Sequence, residues 1–155
     1  MGLMFDTMIA FFADDNWPYD QLEEMPAIRT GFSGENGKWM CFAHVREELE
    51  QFVFYSVLPV NAPPPRRAAV AEFITRANSG MIIGNFEMDY SDGEVRYKTS
   101  VDVEGSDLTL PLVRQLVYAN VSTVDHYLPG LMSVLYTDIP PADAIAKIEG
   151  DDLLD

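Results

Sequence analysis

Residues 38–58 read KWMCFAHVREELEQFVFYSVL and predict two antiparallel strands. Aromatic and β-branched residues, which are enriched in strands, fill Lys38–Arg46 and Gln51–Leu58. The acidic link EELE between them is short, and short links join antiparallel neighbours. Upstream, residues 28–33 predict a further strand, which meets Lys38 through the hairpin signal Gly34–Gly37.

Two more strands are predicted nearer the C-terminus, at Met81–Tyr90 and Val95–Val103, on either side of a turn at residues 91–94. The second of these alternates along its whole length. Val, Tyr and Thr occupy one set of positions, while Arg, Lys, Ser and Asp occupy the other. This alternation is typical of an antiparallel sheet with one covered and one exposed face.

Helices are predicted before, between and after these strands from apolar residues at helical spacing. Pro18 ends the first helix, and Gly80 is expected to take the left-handed conformation at the end of the second. In the third, Leu128-Pro129-Gly130 should kink or break the helix, with a further turn or two beyond. The predicted helices are Leu3–Asp14, a helix opened by Pro63-Pro64-Pro65 and closed at 78–80, Thr109–Leu128 with a continuation over 131–136, and a short helix after Pro140-Pro141 through Ile148.

The order α-β-β-β-α-β-β-α predicts an α+β fold, a single-domain antiparallel sheet with helices packed mainly on one face. A chain of 155 residues has the usual size of one domain, and no linker long enough to separate two domains is present. We therefore expect one domain over residues 1–150 and a frayed acidic tail over 151–155.

Charge and composition exclude several classes of partner. The formal charge of −15 would repel phosphate backbones, so we expect no nucleic acid partner. No stretch is long and apolar enough to cross a membrane, the N-terminus lacks the features of a signal peptide, and the chain has one cysteine, so we expect a cytoplasmic protein and no membrane partner. Residues 1–60 carry −7, residues 101–155 carry −8, and residues 61–100 are balanced. This distribution fits either general solubility or acidic flanks around a nearly neutral docking surface.

Patterns that would indicate catalysis or a cofactor are missing. His44 and His126 lie in different predicted elements, and neither has a second ligand at metal-binding spacing. The glycines before Lys38 do not have phosphate-loop spacing, and the acids at 89–94 do not have the spacing of a calcium loop. We therefore predict no catalytic, cofactor-binding or metal-binding residues, no cofactor and no enzyme. The alternative is an enzyme or small-ligand-binding domain with a pocket near His44, in which Cys41 and Tyr55 would lie close by.

Two of the strands are apolar on both faces, which an antiparallel sheet covered on one side does not require. The second face predicts a surface for a partner or for a second copy, and its candidate residues are Met40, Phe42, Val53, Tyr55 and Val57. The alternative is that the first or last helix wraps onto this face. A large exposed apolar patch is costly unless something covers it, so these residues favour a protein-binding module.

Short motifs in a fixed order resemble the YbjN domain family. They are FITRAN at 73–78, GNFEMD at 84–89, GEVRYK at 93–98, DHYLPGL at 125–131 and PADAI at 141–145. The resemblance implies a fold like that of the type III secretion chaperones and a cytosolic bacterial protein that forms a homodimer and needs no cofactor. It also implies a role in sensory transduction or regulation, with no catalytic residues to carry over. Residues and resemblance together predict a chaperone-like or regulatory module that binds another protein or itself.

Overall fold

Residues 2–152 are described in a computed structural model, and within them six antiparallel strands form one sheet in the order β1-β2-β3-β4-β6-β5. The strands are β1 Tyr19–Gln21, β2 Ala27–Ser33, β3 Lys38–Arg46, β4 Gln51–Val57, β5 Asn85–Met88 and β6 Val95–Asp102. The helices are α1 Leu3–Asp14, α2 Arg67–Asn78, α3 Leu110–Tyr136 and α4 Pro141–Asp152, with short 3-10 turns at Glu47–Leu49 and Pro64–Arg66. The predicted α+β class with an antiparallel sheet is confirmed. Of the predicted acidic tail, residues 151 and 152 end α4, and residues 153–155 lie outside the described part of the chain.

One face of the sheet packs against the helices. Residues of β3 and β4 alternate between buried and exposed or half-buried positions along both strands. The buried set includes Trp39, Ala43, Phe52 and Phe54, and it joins α1 and α3 in one hydrophobic core. Burial of this apolar surface is the main stabilising contribution to the fold. The prediction of helices on one face is therefore confirmed.

Strand β1 is the one strand of the described residues that the sequence did not predict. It has three residues and pairs Tyr19 with Thr30 at the edge of β2. Pro18 precedes it, and its carbonyl accepts a hydrogen bond from the Thr30 hydroxyl. So short an edge strand leaves no periodic pattern to detect, and the sequence therefore predicts no element at these residues.

The predicted strand Met81–Tyr90 is wrong in its length, since β5 covers only Asn85–Met88. The preceding residues form a loop in which Ile82 is 92% exposed. Gly84, directly before the strand, has φ +81°, a left-handed conformation that favours glycine. The same conformation was expected at Gly80, which does not adopt it, so that expectation is also wrong.

Helix α3 runs without a break through Pro129, so of the predicted kink or break at 128–130 the break is wrong. Proline has no N–H, and the carbonyl of Asp125 therefore lacks the helical hydrogen bond that residue 129 would otherwise donate. The side-chain amide of Asn36, in the β2–β3 hairpin, donates to that carbonyl at 2.9 Å instead. Gly130 allows close packing at the next position, because a Cβ there would lie 2.2 Å from Cδ1 of Ile148. The proline is thus accommodated by a tertiary contact.

A buried polar network holds α3 on the sheet. Asn120 is fully buried, and its amide nitrogen donates to the carbonyl oxygens of Phe54 on β4 (2.9 Å) and Tyr97 on β6 (3.2 Å). Its amide oxygen accepts from the Ser56 hydroxyl at 2.6 Å, and Ser56 in turn accepts from the Trp39 indole N–H at 2.9 Å. One side chain of α3 is therefore bonded to two neighbouring strands and linked to a third.

Replacing Asn120 with Ala should lower the free energy of unfolding by about 2–4 kcal/mol, because it leaves a cavity and buried groups without partners. Urea unfolding followed by circular dichroism measures the change. Asn61→Ala is the control, since Asn61 is exposed and makes one long hydrogen bond to the Asp92 carbonyl; it should change stability by less than about 0.5 kcal/mol. Equal effects of the two substitutions would contradict the structural role given to Asn120.

Gly84 and Gly80, on either side of the loop before β5, differ in the space around their Cα atoms. A Cβ on Gly84 would lie 2.7 Å from the Lys98 carbonyl oxygen, whereas a Cβ on Gly80 would meet nothing within 4 Å. Gly84→Ala should therefore destabilise the protein by about 1–3 kcal/mol. Gly80→Ala should be neutral or stabilising by up to about 1 kcal/mol, because it restricts the unfolded chain. Thermal unfolding of both variants checks this, and a destabilised Gly80→Ala would show the assignment of the two glycines to be wrong.

Candidate functional site

The face of the sheet opposite the helices carries the candidate residues predicted from the sequence. Residues that are directly opposite on neighbouring antiparallel strands share a face. Met40 of β3 lies opposite Val57 of β4, Phe42 opposite Tyr55, and His44 opposite Val53. All five candidate residues, Met40, Phe42, Val53, Tyr55 and Val57, therefore form one contiguous apolar patch. We call this surface the open face.

Helices α1 and α4 do not cover the open face. Phe12 of α1 stacks on Phe54 with ring centroids 6.4 Å apart, and Phe54 belongs to the buried set. Helix α4 packs against α2 and α3. Met40 remains 45% exposed, and the other four patch residues are half-buried. The alternative in which the first or last helix wraps onto this face is therefore wrong for the described residues.

Strand β6 places charged groups beside the apolar patch. The guanidinium carbon of Arg96 lies 4.6 Å from the centre of the Tyr55 ring, within cation–π range. Glu87 of β5 forms ion pairs with Arg96 at 2.6 Å and with Lys98 at 3.4 Å, and it accepts a hydrogen bond from the Lys98 ammonium group. This cluster could not be predicted from the sequence, because it requires β6 to pair with both β4 and β5. The alternation of Arg96 and Lys98 indicates that both lie on one face of β6, but the sequence does not give the order of the strands in the sheet.

A shallow depression of about 540 Å³ lies beside His44 on the open face. Tyr55, Lys98 and Asp102 are among the residues that line it. Burial, followed by the nearby charge of Arg46, lowers the pKa of His44, so its imidazole is neutral at pH 7. A neutral imidazole and a phenol in an open depression can make hydrogen bonds to a bound group.

Cys41 lies on the opposite face from His44 and Tyr55, so the proposed grouping of these three residues is wrong. Cys41 and His44 are three residues apart in one strand, and side chains alternate between faces with a period of two. The Cys41 side chain is buried among the helices, with Sγ 3.7 Å from the Ser56 hydroxyl. Burial raises the pKa of its thiol to about 12. This thiol is therefore a core group and no nucleophile for the open face.

Residues 2–152 also bear on metal binding and on membrane insertion. No group of three or more His, Cys, Asp or Glu side chains in that range is arranged to hold a metal ion. Every helix in the range is too short or too polar to span a bilayer.

The Cys41 environment predicts low thiol reactivity in the folded protein. At pH 8 the thiolate fraction should be about a thousandfold below that of a thiol with the ordinary pKa of 9.0, so Ellman's reagent should label the native chain slowly and the urea-unfolded chain rapidly. The same pKa shift favours the folded state below pH 9, and this contribution is lost as the pH rises from 9 to about 12. Cys41→Ser serves as the blank, and rapid stoichiometric labelling of the native protein would contradict the buried position.

Solved structures with the same fold include YbjN from E. coli, described as "a putative transcription regulator". It has a TM-score of 0.59 and 10% identity, covering 78% of this chain and 85% of that chain. The Yersinia pestis type III secretion chaperone SycH, solved with a fragment of YscM2, has a TM-score of 0.53 and 9% identity over 77% of this chain and 94% of that chain. The ExsC–ExsE complex has a TM-score of 0.53 and 13% identity over 83% and 96%. These low identities show a shared fold alone.

Sequence comparison gives the family. A search of curated protein sequences finds none that matches this chain. The profile of the YbjN family, described as "Putative bacterial sensory transduction regulator", matches residues 5–132. That range runs from α1 to near the end of α3, and it contains Asn78, Gly84 and Tyr97 of the motifs noted in the sequence. Asn78 makes two hydrogen bonds to the backbone of Phe86, and the Tyr97 hydroxyl donates to the Ile83 carbonyl, so these motif residues together fix the start of β5. With the fold of the type III secretion chaperones and a profile match over most of its length, this chain belongs to the YbjN family.

Proposed function

We propose that this chain is a non-enzymatic protein-binding module, chaperone-like or regulatory, that binds its partner on the open face. The observation that carries the proposal is the apolar patch of Met40, Phe42, Val53, Tyr55 and Val57 on a sheet face that no helix of residues 2–152 covers. Contiguous exposed apolar surface on a folded protein marks an interaction site more often than a structural one.

The fold supports a binding role. SycH was solved with a fragment of YscM2, and ExsC with ExsE, so proteins that share this fold bind other proteins. The family description points to regulation. A binding module of this kind fits a bacterial cytoplasmic protein with a single buried cysteine, and that location is part of the proposal.

Two occupants of the open face are compatible with this proposal: a different protein and a second copy of the chain. A homodimer formed through this face would bury the same patch on both copies, because a twofold interface uses one surface twice. The mass in solution separates the two, since a monomer has 17.4 kDa and a dimer twice that value.

A small-ligand site near His44 is a second candidate function, favoured by the depression that His44, Tyr55 and Lys98 line. A small-ligand site and a protein-binding surface differ in how much of the bound molecule they enclose. Pockets for small molecules enclose most of the ligand surface, whereas this depression is shallow and continuous with the apolar patch. Protein binding uses the whole of the open face, and we rank it first for that reason.

The double substitution Met40→Gln/Phe42→Thr should remove partner binding and leave the fold intact. Both side chains point away from the core, and loss of about 1.4 kcal/mol of binding energy would weaken the interaction tenfold. Affinity capture from a native lysate, followed by quantitative mass spectrometry, compares the variant with the unmodified chain. Thermal unfolding checks that the variant is folded.

The control is Met25→Gln/Leu110→Gln, which changes two exposed apolar residues outside the open face, 44% and 38% exposed. A partner that the control retains and the open-face variant loses supports the proposal. Capture that is equal for all three proteins would contradict it. Light scattering on the same samples shows whether a dimer is the complex that the open-face variant loses.

A further inference from the structure

The open face differs in charge from the rest of the molecule. Half of the ten basic residues of the chain lie on it, against three of the 25 acidic residues, although the formal charge of the whole chain is −15. The basic residues are Arg29, Lys38, Arg46, Arg96 and Lys98, and the acidic ones are Asp20, Glu87 and Asp102. With the bordering Glu48 and Glu94 counted, the open face has a formal charge of zero, whereas the rest of the molecule is strongly negative.

Three of the acidic side chains on the open face already have partners there. Asp20 pairs with Arg29 at 3.3 Å, and Glu87 pairs with Arg96 and Lys98. Asp102 accepts hydrogen bonds from the Gln51 side chain and from the Glu104 backbone N–H. The charges of Asp20 and Glu87 are thus largely compensated by the cations beside them, whereas Asp102 is bonded to neutral groups and keeps its negative charge.

Two cations at opposite ends of β3 have no carboxylate partner. Lys38 and Arg46 are both exposed, and neither lies within ion-pair distance of a carboxylate in the described part of the chain. Arg46 donates a long hydrogen bond, 3.5 Å, to the neutral Gln51 side chain. They share the open face with Met40, Phe42 and His44, which lie between them. The two residues are eight positions apart on the strand, so their Cα atoms are about 26 Å apart. The open side of β3 therefore presents an apolar centre with a cation at each end.

We infer that the open face takes an acidic, apolar segment of a partner protein, with apolar residues at its centre and carboxylates at both ends. This inference rests on the proposed function and names the chemistry of the partner. Carboxylates would meet Lys38 and Arg46 while apolar side chains cover Met40 and Phe42. A second copy would bring the same open face with the same unpaired cations, and a basic segment would place like charges together at both ends.

The net charge of the chain predicts the opposite preference. At −15, the molecule attracts basic peptides over long distances. At 0.15 M salt the Debye length is about 8 Å, so contacts at the open face outweigh the charge on the other side of the protein. Peptide selectivity at this ionic strength therefore separates a local interface from general electrostatic attraction.

The test is a selection of random twelve-residue peptides, displayed on phage, against the intact chain at 0.15 M salt. We expect enrichment of peptides with an apolar centre and Asp or Glu toward both ends. On Lys38→Glu/Arg46→Glu, the preference at the ends should change to Lys or Arg. The matched control Arg76→Glu/Lys147→Glu makes the same change in net charge on exposed positions of α2 and α4, and it should keep the preference for acidic ends.

Binding of one selected peptide, measured by fluorescence anisotropy, gives the size of the effect. Its Kd should rise about tenfold or more for Lys38→Glu/Arg46→Glu and less than about threefold for the control. Selected peptides should also lose binding to Met40→Gln/Phe42→Thr. Circular dichroism and thermal unfolding of each variant confirm that the changes act on binding and not on folding.

Each other outcome counts against the inference in a distinct way. Enrichment of basic ends on the unmodified chain, with binding lost in Met40→Gln/Phe42→Thr, would overturn the inference and leave the proposed function standing. Peptides insensitive to all the open-face substitutions would place the binding site elsewhere and overturn both. An absence of enriched peptides together with a dimer closed by the open face would assign that face to a second copy, and the same absence with a monomer would contradict both.

Discussion

The bonding of Asn120 to strands β4 and β6 is the constraint on which the rest of the molecule depends. A sheet that is covered on one side only must keep its helices in place and its strands in register. A slip of one residue in a strand would move every side chain of that strand to the other face. The Asn120 amide contacts the backbone of the neighbouring strands β4 and β6, and through Ser56 it reaches Trp39 on β3. The network therefore determines which residues enter the core and, by the same alternation, which remain on the open face.

Acidic residues join helices and loops on the helical side of the sheet. This partly explains why negative charge lies there and not on the open face. Glu47 accepts from the backbone N–H groups of Met4 and Phe5 at the start of α1, where negative charge is favourable. Asp15, at the end of α1, binds Arg114 and Tyr118 of α3. Asp125 accepts from two backbone N–H groups of the β2–β3 hairpin. Carboxylates thus join elements around the helical side, while the unpaired Lys38 and Arg46 lie on the open face.

The sequence predicted long, regular elements well and short or tertiary features poorly. Strand Lys38–Arg46 was predicted with its observed bounds because a hairpin signal and an acidic link flank it. The period of two along that strand would also have separated Cys41 from His44 without a structure. By contrast, both faces of β3 and β4 are apolar, so the sequence could propose the patch but could not tell which face the helices leave open. Contacts such as Arg96 over Tyr55 depend on strand order, and the continuity of α3 depends on a bond from Asn36; neither follows from local pattern.

The carbonyl of Asp125 shows how a missing helical hydrogen bond leads to a tertiary contact. Pro129 leaves this oxygen without its helical bond, and Asn36, 89 residues earlier in the chain, supplies the donor. The carboxylate of Asp125 accepts two hydrogen bonds from the same hairpin, so a single residue of α3 contacts the loop through both its backbone and its side chain. Lys38 begins β3 directly after that loop. Three hydrogen bonds therefore join this end of the open face to the C-terminal half of α3, and we expect a displacement at Lys38 to be felt by the helices behind the sheet.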